Sequence, residues 1–452
     1  VRGSESNAGR AGSGLAAART LFSAARFSEC LAALGDEGGR EPAFLRARCL
    51  LRLGMPADAV SILQHAVASE HETCARVEHA VLLSAAFAAL GDGSASQAWL
   101  STAASLDDTV GGAATADVHL LRAAASLRDG DLAPADEWAR RALSVPALRK
   151  DRYGTPLGVV RAQAFELLSA IAAAREDYAA QAEFLQSGWQ SLYRQPHEKP
   201  DRFVEARLLE QLAPLALELR IDAVTPQLHA AIMQPWPRQL ANAEWTIRRT
   251  LAWQAALAGD ERTAFAYLLD CVSSAPSDTQ RLASIADRAE LAHEIGNDVI
   301  AYEERRRMSV LARDVDWALV HGESRSTLLA IAKAFALDDA DVARGWLSVY
   351  RRHAARASIA GTRRRCALES DAQAAVLEAE SHADDALRMR RQSLAQWNEL
   401  GYRWRAAREA LAIARLSQLP GDVAAARKQC AAFPKSWLAR GARRLANGRR
   451  SR

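Results

Sequence analysis

Small and apolar positions recur along this chain at helical intervals. In GDERTAFAYLLDCVSSAP (259–276), Gly259, Ala264, Leu268, Cys271 and Pro276 follow one another at offsets of five, four, three and five. Offsets of three and four keep Ala264, Leu268 and Cys271 on one helix face. Gly259 and Pro276 supply a turn before the helix and a stop after it. Seven positions upstream of Gly259 stands Ala252, and the same spacing returns in Ala47, Gly54 and Ala59, in Ala123, Gly130 and Ala135, and in Ala289, Gly296 and Ala301. Behind the second alanine come Leu63 and Ala66 in the first copy and Ala139 and Ala142 in the second. Three departures stand out. Arg305 and Met308 follow Ala301, Asp338 replaces the glycine before Ala343, Leu347 and Tyr350, and Ser84 occupies the alanine position upstream of Gly91.

This spacing predicts helical hairpins. A small residue in the first helix admits the second, a glycine in a left-handed turn ends the first, and an alanine restores close contact. Acidic residues just past the turn, as in Gly259-Asp260-Glu261 and Gly130-Asp131, suit the positive end of the second helix. Between Gly130 and Gly259 the beat is lost, although helices are expected at 158–175, 178–192 and 202–219, with breakers at 149–158, 193–202 and 233–239. Further helices are expected at 362–380, 383–400, 402–418 and 422–432. The expected organisation is a disordered leader (1–13), a first array (14–192), a proline-containing connection (193–240), a second array (241–446) and a basic disordered tail (447–452).

Hydrophobic residues make up 49% of the 452 positions but aromatics only 6%, so Ala, Leu and Val dominate and alternating β-branched stretches are missing. The expected class is all-α. No apolar run reaches the roughly 18 residues needed to span a bilayer, and the opening VRGSESNAGRAGSG lacks the apolar core of a secretion signal. A soluble, cytoplasmic chain is expected; opening on Val1 and a Gly/Ser-rich run, it reads as a piece of something longer. Cys30, Cys49, Cys74, Cys271, Cys366 and Cys430 form no CxxC pair and read as small packing residues.

These residues resemble the tetratricopeptide repeat: a small residue in the first helix, glycine at the turn, alanine in the second helix and, in the best copy, a closing proline. Anchor glycines at 54, 91 and 130 lie 37 and 39 residues apart, and 259 and 296 lie 37 apart, followed by 42 to Asp338. The family period is about 34. The resemblance implies an all-α, right-handed superhelical solenoid of antiparallel hairpins whose concave face, lined by first helices, holds a partner. Carried over by register, the lining positions are Phe44, Arg48 and Arg52, then Arg128, then Arg249 and Trp253, then Glu290 and His293. Arginines there can fork two hydrogen bonds to a carboxylate, which suits an acidic peptide or a peptide terminus. A second, regional resemblance comes from LGYRWRAAREALAIARL (400–416) and AAFPKSWLARGARRLA (431–446), which look like the end of the helical sensory domain in large LuxR-type, maltose-activator-like bacterial transcription regulators. With no GxxxxGK[ST] loop in the chain and no separate recognition-helix domain after Ala446, the likeness implies the sensory or coupling portion.

Catalytic constellations are missing from the sequence. His293-Glu294 lacks the second histidine of a zinc motif, no GxSxG elbow occurs, and the Gly12-Ser13-Gly14 stretch has no preceding strand. Adjacent carboxylates such as Asp338-Asp339 and Asp384-Asp385 point to different sides of a helix. A non-enzymatic scaffold without a cofactor or a catalytic or metal residue is expected. Charge adds a further candidate. Two acid-free stretches each hold seven cations, one at 435–452 and one comprising Arg344, Arg351, Arg352, Arg356, Arg363, Arg364 and Arg365. With a net charge of only +4 overall, the remainder is acidic. The basic stretches, with Trp346 and Tyr350 among them, suit an acidic protein surface or nucleic-acid phosphates. Three readings follow: a signal-binding part of a transcription regulator that takes up a protein, peptide or small molecule, a free-standing adaptor or chaperone-like scaffold, and a nucleic-acid binder.

Overall fold

The computed structural model describes residues 5–109, 115–145, 157–194, 200–320, 326–356 and 362–448, and among these there are helices and turns but no strand. The chain forms two compact units, one of residues 1–212 with 237–240 and one of 213–236 with 241–452. Both are all-α and tetratricopeptide-like, built from successive antiparallel hairpins.

The first unit pairs α1 (Glu5–Ser23) with α2 (Phe27–Leu34), α3 (Arg40–Arg52) with α4 (Pro56–Ser69), and α5 (Thr73–Ala89) with α6 (Gly93–Thr109). It continues with α7 (Thr115–Asp129) on α8 (Leu132–Ser144) and α9 (Leu157–Ala174) on α10 (Tyr178–Leu192), and the division between units falls inside α11 (Arg202–Glu218). After α12 (Thr225–Ile232), the second unit pairs α13 (Ala241–Ala258) with α14 (Glu261–Ser273), α15 (Asp278–Ile295) with α16 (Asp298–Asp314), and α17 (Ser326–Phe335) with α18 (Ala340–Arg356). Two more pairs follow, α19 (Arg363–Ala379) with α20 (Ala383–Glu399) and α21 (Arg403–Ser417) with α22 (Pro420–Cys430), and α23 (Trp437–Gly448) closes the described chain. Helix α1 begins at Glu5, inside the stretch expected as a disordered leader, and gains its alanines mainly at 16–18; residues 1–4 and 449–452 lie outside the described residues. Pro420, expected between helices, instead opens α22, where its missing N–H costs nothing.

The repeat register is physical. Ala47, Ala59, Ala123, Ala135, Ala252, Ala264, Ala289 and Ala301 are all buried, as are Ala343, Leu347 and Tyr350 of the copy built on Asp338. Asp260 and Asn297 cap their helices by accepting the backbone N–H of Thr263 (3.1 Å) and Ile300 (3.2 Å). Where the pattern departs, the substitutes pair with one another. Ser84 and Ser96, seven before and five after Gly91, each donate a hydroxyl to the other's carbonyl at 2.9 Å. Arg305 and Asp338 form an ion pair, with Nη2 to Oδ1 at 2.9 Å. Among the hairpins that turn on a left-handed residue other than glycine are those at Ala25 (φ 58°) and Ser381 (φ 63°). Small buried residues keep the same offsets there, Ala18 with Cys30 and Ala374 with Ala386. In the α9–α10 hairpin the left-handed position is Glu176 (φ 57°), which is why the beat fades from the sequence in that region.

Cys271 is fully buried and burial pushes its thiol up to about 12, so it packs rather than reacts. In the first unit, α1, α3, α5, α7 and α9 touch in succession, while the second helices pack on the first helices of their own and the following hairpin. The first helices therefore form an inner wall.

Candidate binding groove

That inner wall carries a groove of about 600 Å³. On α3 the lining residues Phe44, Arg48 and Arg52 recur every fourth position, which sets them in one row on one face. Leu51, Val81, Leu82, Leu121, Ala124 and Leu167 give the groove an aliphatic floor drawn from α3, α5, α7 and α9. Alanines among these positions, such as Ala124, are what leave the space unfilled.

The two arginines are held by aromatic rings. The guanidinium carbon of Arg48 lies 4.5 Å from the centroid of Phe22 and 5.9 Å from that of Phe44, and that of Arg52 lies 4.0 Å from the centroid of Phe203. Among the described residues neither donates a hydrogen bond to a carboxylate. Other arginines nearby are engaged: Arg40 binds Glu70 at 2.7 Å, Arg46 donates to the Gly35 carbonyl at 2.8 Å, and Arg207 reaches Glu166 at 2.6 Å. Burial pulls the Arg52 guanidinium down to about 10, with nearby Asp201 opposing and Arg48 reinforcing the shift; burial also lowers Arg48, again against Asp201. Asp201 is itself occupied in capping α11, accepting the N–H of Phe203 at 3.0 Å and of Val204 at 3.2 Å. Buried His79 sets its ring 6.0 Å edge-on to Phe44, and burial lowers its pKa.

The remaining sequence-derived positions lie elsewhere. Arg128 is exposed, one residue past the groove-lining Leu127. In the second unit Trp253 is buried in an apolar cluster, its ring 5.3 Å from Trp404 and 6.0 Å from Trp437. Arg249 lies over Trp245 and binds Asp287, with Nη2 to Oδ1 at 3.0 Å. His293 is exposed, 4.0 Å from Asp298.

Glu290 belongs to a buried ion network. It meets Arg408 and, at 3.0 Å, Lys333; Asp371 binds Lys333 at 2.7 Å, Arg408 at 2.6 Å and Arg390 at 2.5 Å; Arg390 also reaches Glu409 at 3.0 Å and Glu378 at 2.6 Å. Burial opposes ionisation of Glu290, yet the Arg408 and Lys333 cations outweigh it and bring the carboxyl down to about 2. For Glu409 burial and the Asp371 carboxylate prevail over Arg390 and Arg408, raising it to about 7. The register-equivalent charges of the second unit, Arg249 and Glu290, are therefore each paired with an opposite charge, in contrast to Arg48 and Arg52.

In the basic stretch, Arg344 pairs with Glu380 and, at 3.1 Å, with Asp341; Arg351 pairs with Glu369 at 2.9 Å; Arg363 lies 3.9 Å from Glu399. Arg352 is exposed, Arg364 and Arg365 are partly buried, and the Arg356 side chain lies outside the described residues. Tyr350 is buried and Trp346 packs against Trp317 at 6.0 Å, so both aromatics serve the core rather than offering a stacking face. Sequence reasoning missed Phe22, Phe203, Glu166 and Arg207. They sit on α1, α9 and α11, helices outside the recognised repeats, where other charged and aromatic residues such as Arg161, Phe165, Arg202 and Glu210 leave them unmarked in the sequence. Among the described residues no group of three or more His, Cys, Asp or Glu could hold a metal, and no helix is long and apolar enough to cross a membrane.

No family model and no curated protein matches the chain. Solved structures do. One is the tetratricopeptide domain of P58(IPK), 17% identical over 84% of this chain and 99% of that one, with a TM-score of 0.21. Another is the Cut9–Hcn1 hetero-tetramer of the APC/C, 10% identical over 95% and 92%, with a TM-score of 0.32. A third is the human IFIT1 dimer with PPP-AAAA, 13% identical over 84% and 94%, with a TM-score of 0.28.

Proposed function

We propose that the chain is a non-enzymatic helical scaffold that captures a protein, peptide or small-molecule signal in the groove of its first unit. The observation that carries this reading is the pair Arg48 and Arg52, fixed over Phe22 and Phe203 above an aliphatic floor with no carboxylate hydrogen-bonded to either among the described residues. Maintaining two partly buried cations in that state is costly unless a ligand compensates them. The second unit, whose network is closed upon itself, serves in this reading as the rigid part. The finer reading is the sensory part of a LuxR-type cytoplasmic transcription regulator, and it rests on the likeness at 400–416 and 431–446. A free-standing adaptor would use the same groove. Nucleic-acid binding through the basic stretch has less support, because Arg344 and Arg351 already have acidic partners.

The test is native mass spectrometry of material captured by the intact chain, beside Ala124→Trp, which fills the groove, and Val310→Asp on the exposed side of α16. Capture lost in the first variant and kept in the second, with unchanged circular dichroism, supports the groove. Equal capture by both excludes it.

A further inference from the structure

Resting on that reading of the groove, we infer that its ligand is a small amphiphile with one anionic head group, seated between Arg48 and Arg52, and an aliphatic body lying along α5 and α7. Three observations select this class over an extended partner or a polyanion. The volume of about 600 Å³ falls within the roughly 300–1,000 Å³ typical of small-molecule sites. Its floor is aliphatic, offering Val81, Leu82, Leu121 and Ala124 to a chain of methylenes but no aromatic ladder on which bases would stack. Finally, the lining is electrically balanced. Arg48, Arg52 and Arg207 face Glu78, Asp117 and Glu166, so the groove has no net positive field to attract a run of phosphates.

Within that balance the charges are unevenly committed. Arg207 is taken by Glu166, which also accepts from Gln211 at 3.1 Å. Arg48 and Arg52, four residues apart on α3, both line the groove, each with its guanidinium carbon held over a phenylalanine ring. A single carboxylate or phosphate-monoester head can accept from both forks at once. Its charge would offset the desolvation that now depresses both guanidiniums.

The experiment is isothermal titration of the intact chain with three probes built on an eight-carbon chain, octanoate, 1-octanol and octyltrimethylammonium, and with a short oligouridylate. Octanoate is expected to bind, with affinity falling roughly tenfold in Arg48→Gln and in Arg52→Gln, the loss of one charge-assisted hydrogen bond. Octanol is expected to bind at least about tenfold more weakly than octanoate and to be indifferent to the arginine variants. Unchanged circular dichroism and melting of the glutamine variants separates lost binding from lost fold. Equal binding of octanol and octanoate, unaltered octanoate affinity in both variants, or no octanoate binding overturns the anionic head group. Tighter binding of oligouridylate overturns it in favour of a polyanion. If Ala124→Trp still captures material as the unaltered chain does, the groove itself fails; if it does not, only the ligand class fails.

Discussion

Gly259 and Gly296 end equivalent first helices with nearly the same backbone, φ 86° and 84°, but their surroundings differ. A Cβ on Gly259 would lie 2.6 Å from the Lys435 carbonyl oxygen and 3.0 Å from its Cβ, whereas one on Gly296 would meet nothing within 4 Å. Alanine at either site bears the left-handed backbone cost, about 1–2 kcal/mol. At Gly259 the α14 turn and the segment before α23 must also separate, adding about 1–3 kcal/mol of overpacking. Gly296→Ala should therefore lose about 1–2 kcal/mol and Gly259→Ala about 2–5 kcal/mol. Urea unfolding read by tryptophan fluorescence is suited to this, since Trp253, Trp404 and Trp437 cluster with Phe433 beside the Lys435 segment. Equal losses in the two variants would refute the close approach.

Other expectations follow from the charges. Glu409 titrates near 7 when folded against 4.5 for an unperturbed glutamate, so the folded state holds its proton more tightly. Its effect is to lower stability as pH rises from about 4.5 to 7, by about 3 kcal/mol at most. Glu409→Gln should flatten that decline in pH-dependent denaturation; an unchanged slope refutes the assignment. Glu290, brought down to about 2, acts oppositely, stabilising above 4.5 and losing this as pH falls toward 2, a loss that Glu290→Gln should remove from acid-unfolding curves. Arg408→Gln leaves Asp371 and Glu290 undercompensated and should cost about 3–5 kcal/mol, while Arg52→Gln removes a cation without a carboxylate partner and should leave the melting temperature unchanged or raised. Calorimetry that finds Arg52→Gln as damaging as Arg408→Gln would contradict the contrast between the two units.

Hairpins whose left-handed turn residue is glycine were legible in the sequence, because glycine and its two flanking alanines mark backbone conformation and close approach together. Those turning on Ala25, Glu176 and Ser381 were not, since nothing in those residue types announces a positive φ. The substitutions that pair across space, Ser84 with Ser96 and Arg305 with Asp338, looked like decay of the pattern until their partners were known. For the groove, register alone placed Phe44, Arg48 and Arg52 on its wall. It could not separate them from Trp253 and Glu290, which occupy similar helix faces but meet Trp404 and Arg408 from other hairpins. Contacts between residues more than a hundred positions apart leave no trace in a single sequence's periodicity.

The central claim is that the first unit's inner wall is where this chain holds its ligand. Hydrogen exchange of the intact chain with and without captured material tests it most directly. The account predicts added protection in α3, α5 and α7, reduced by Ala124→Trp. Protection confined to α4, α6 and α8 or to the second unit would contradict it.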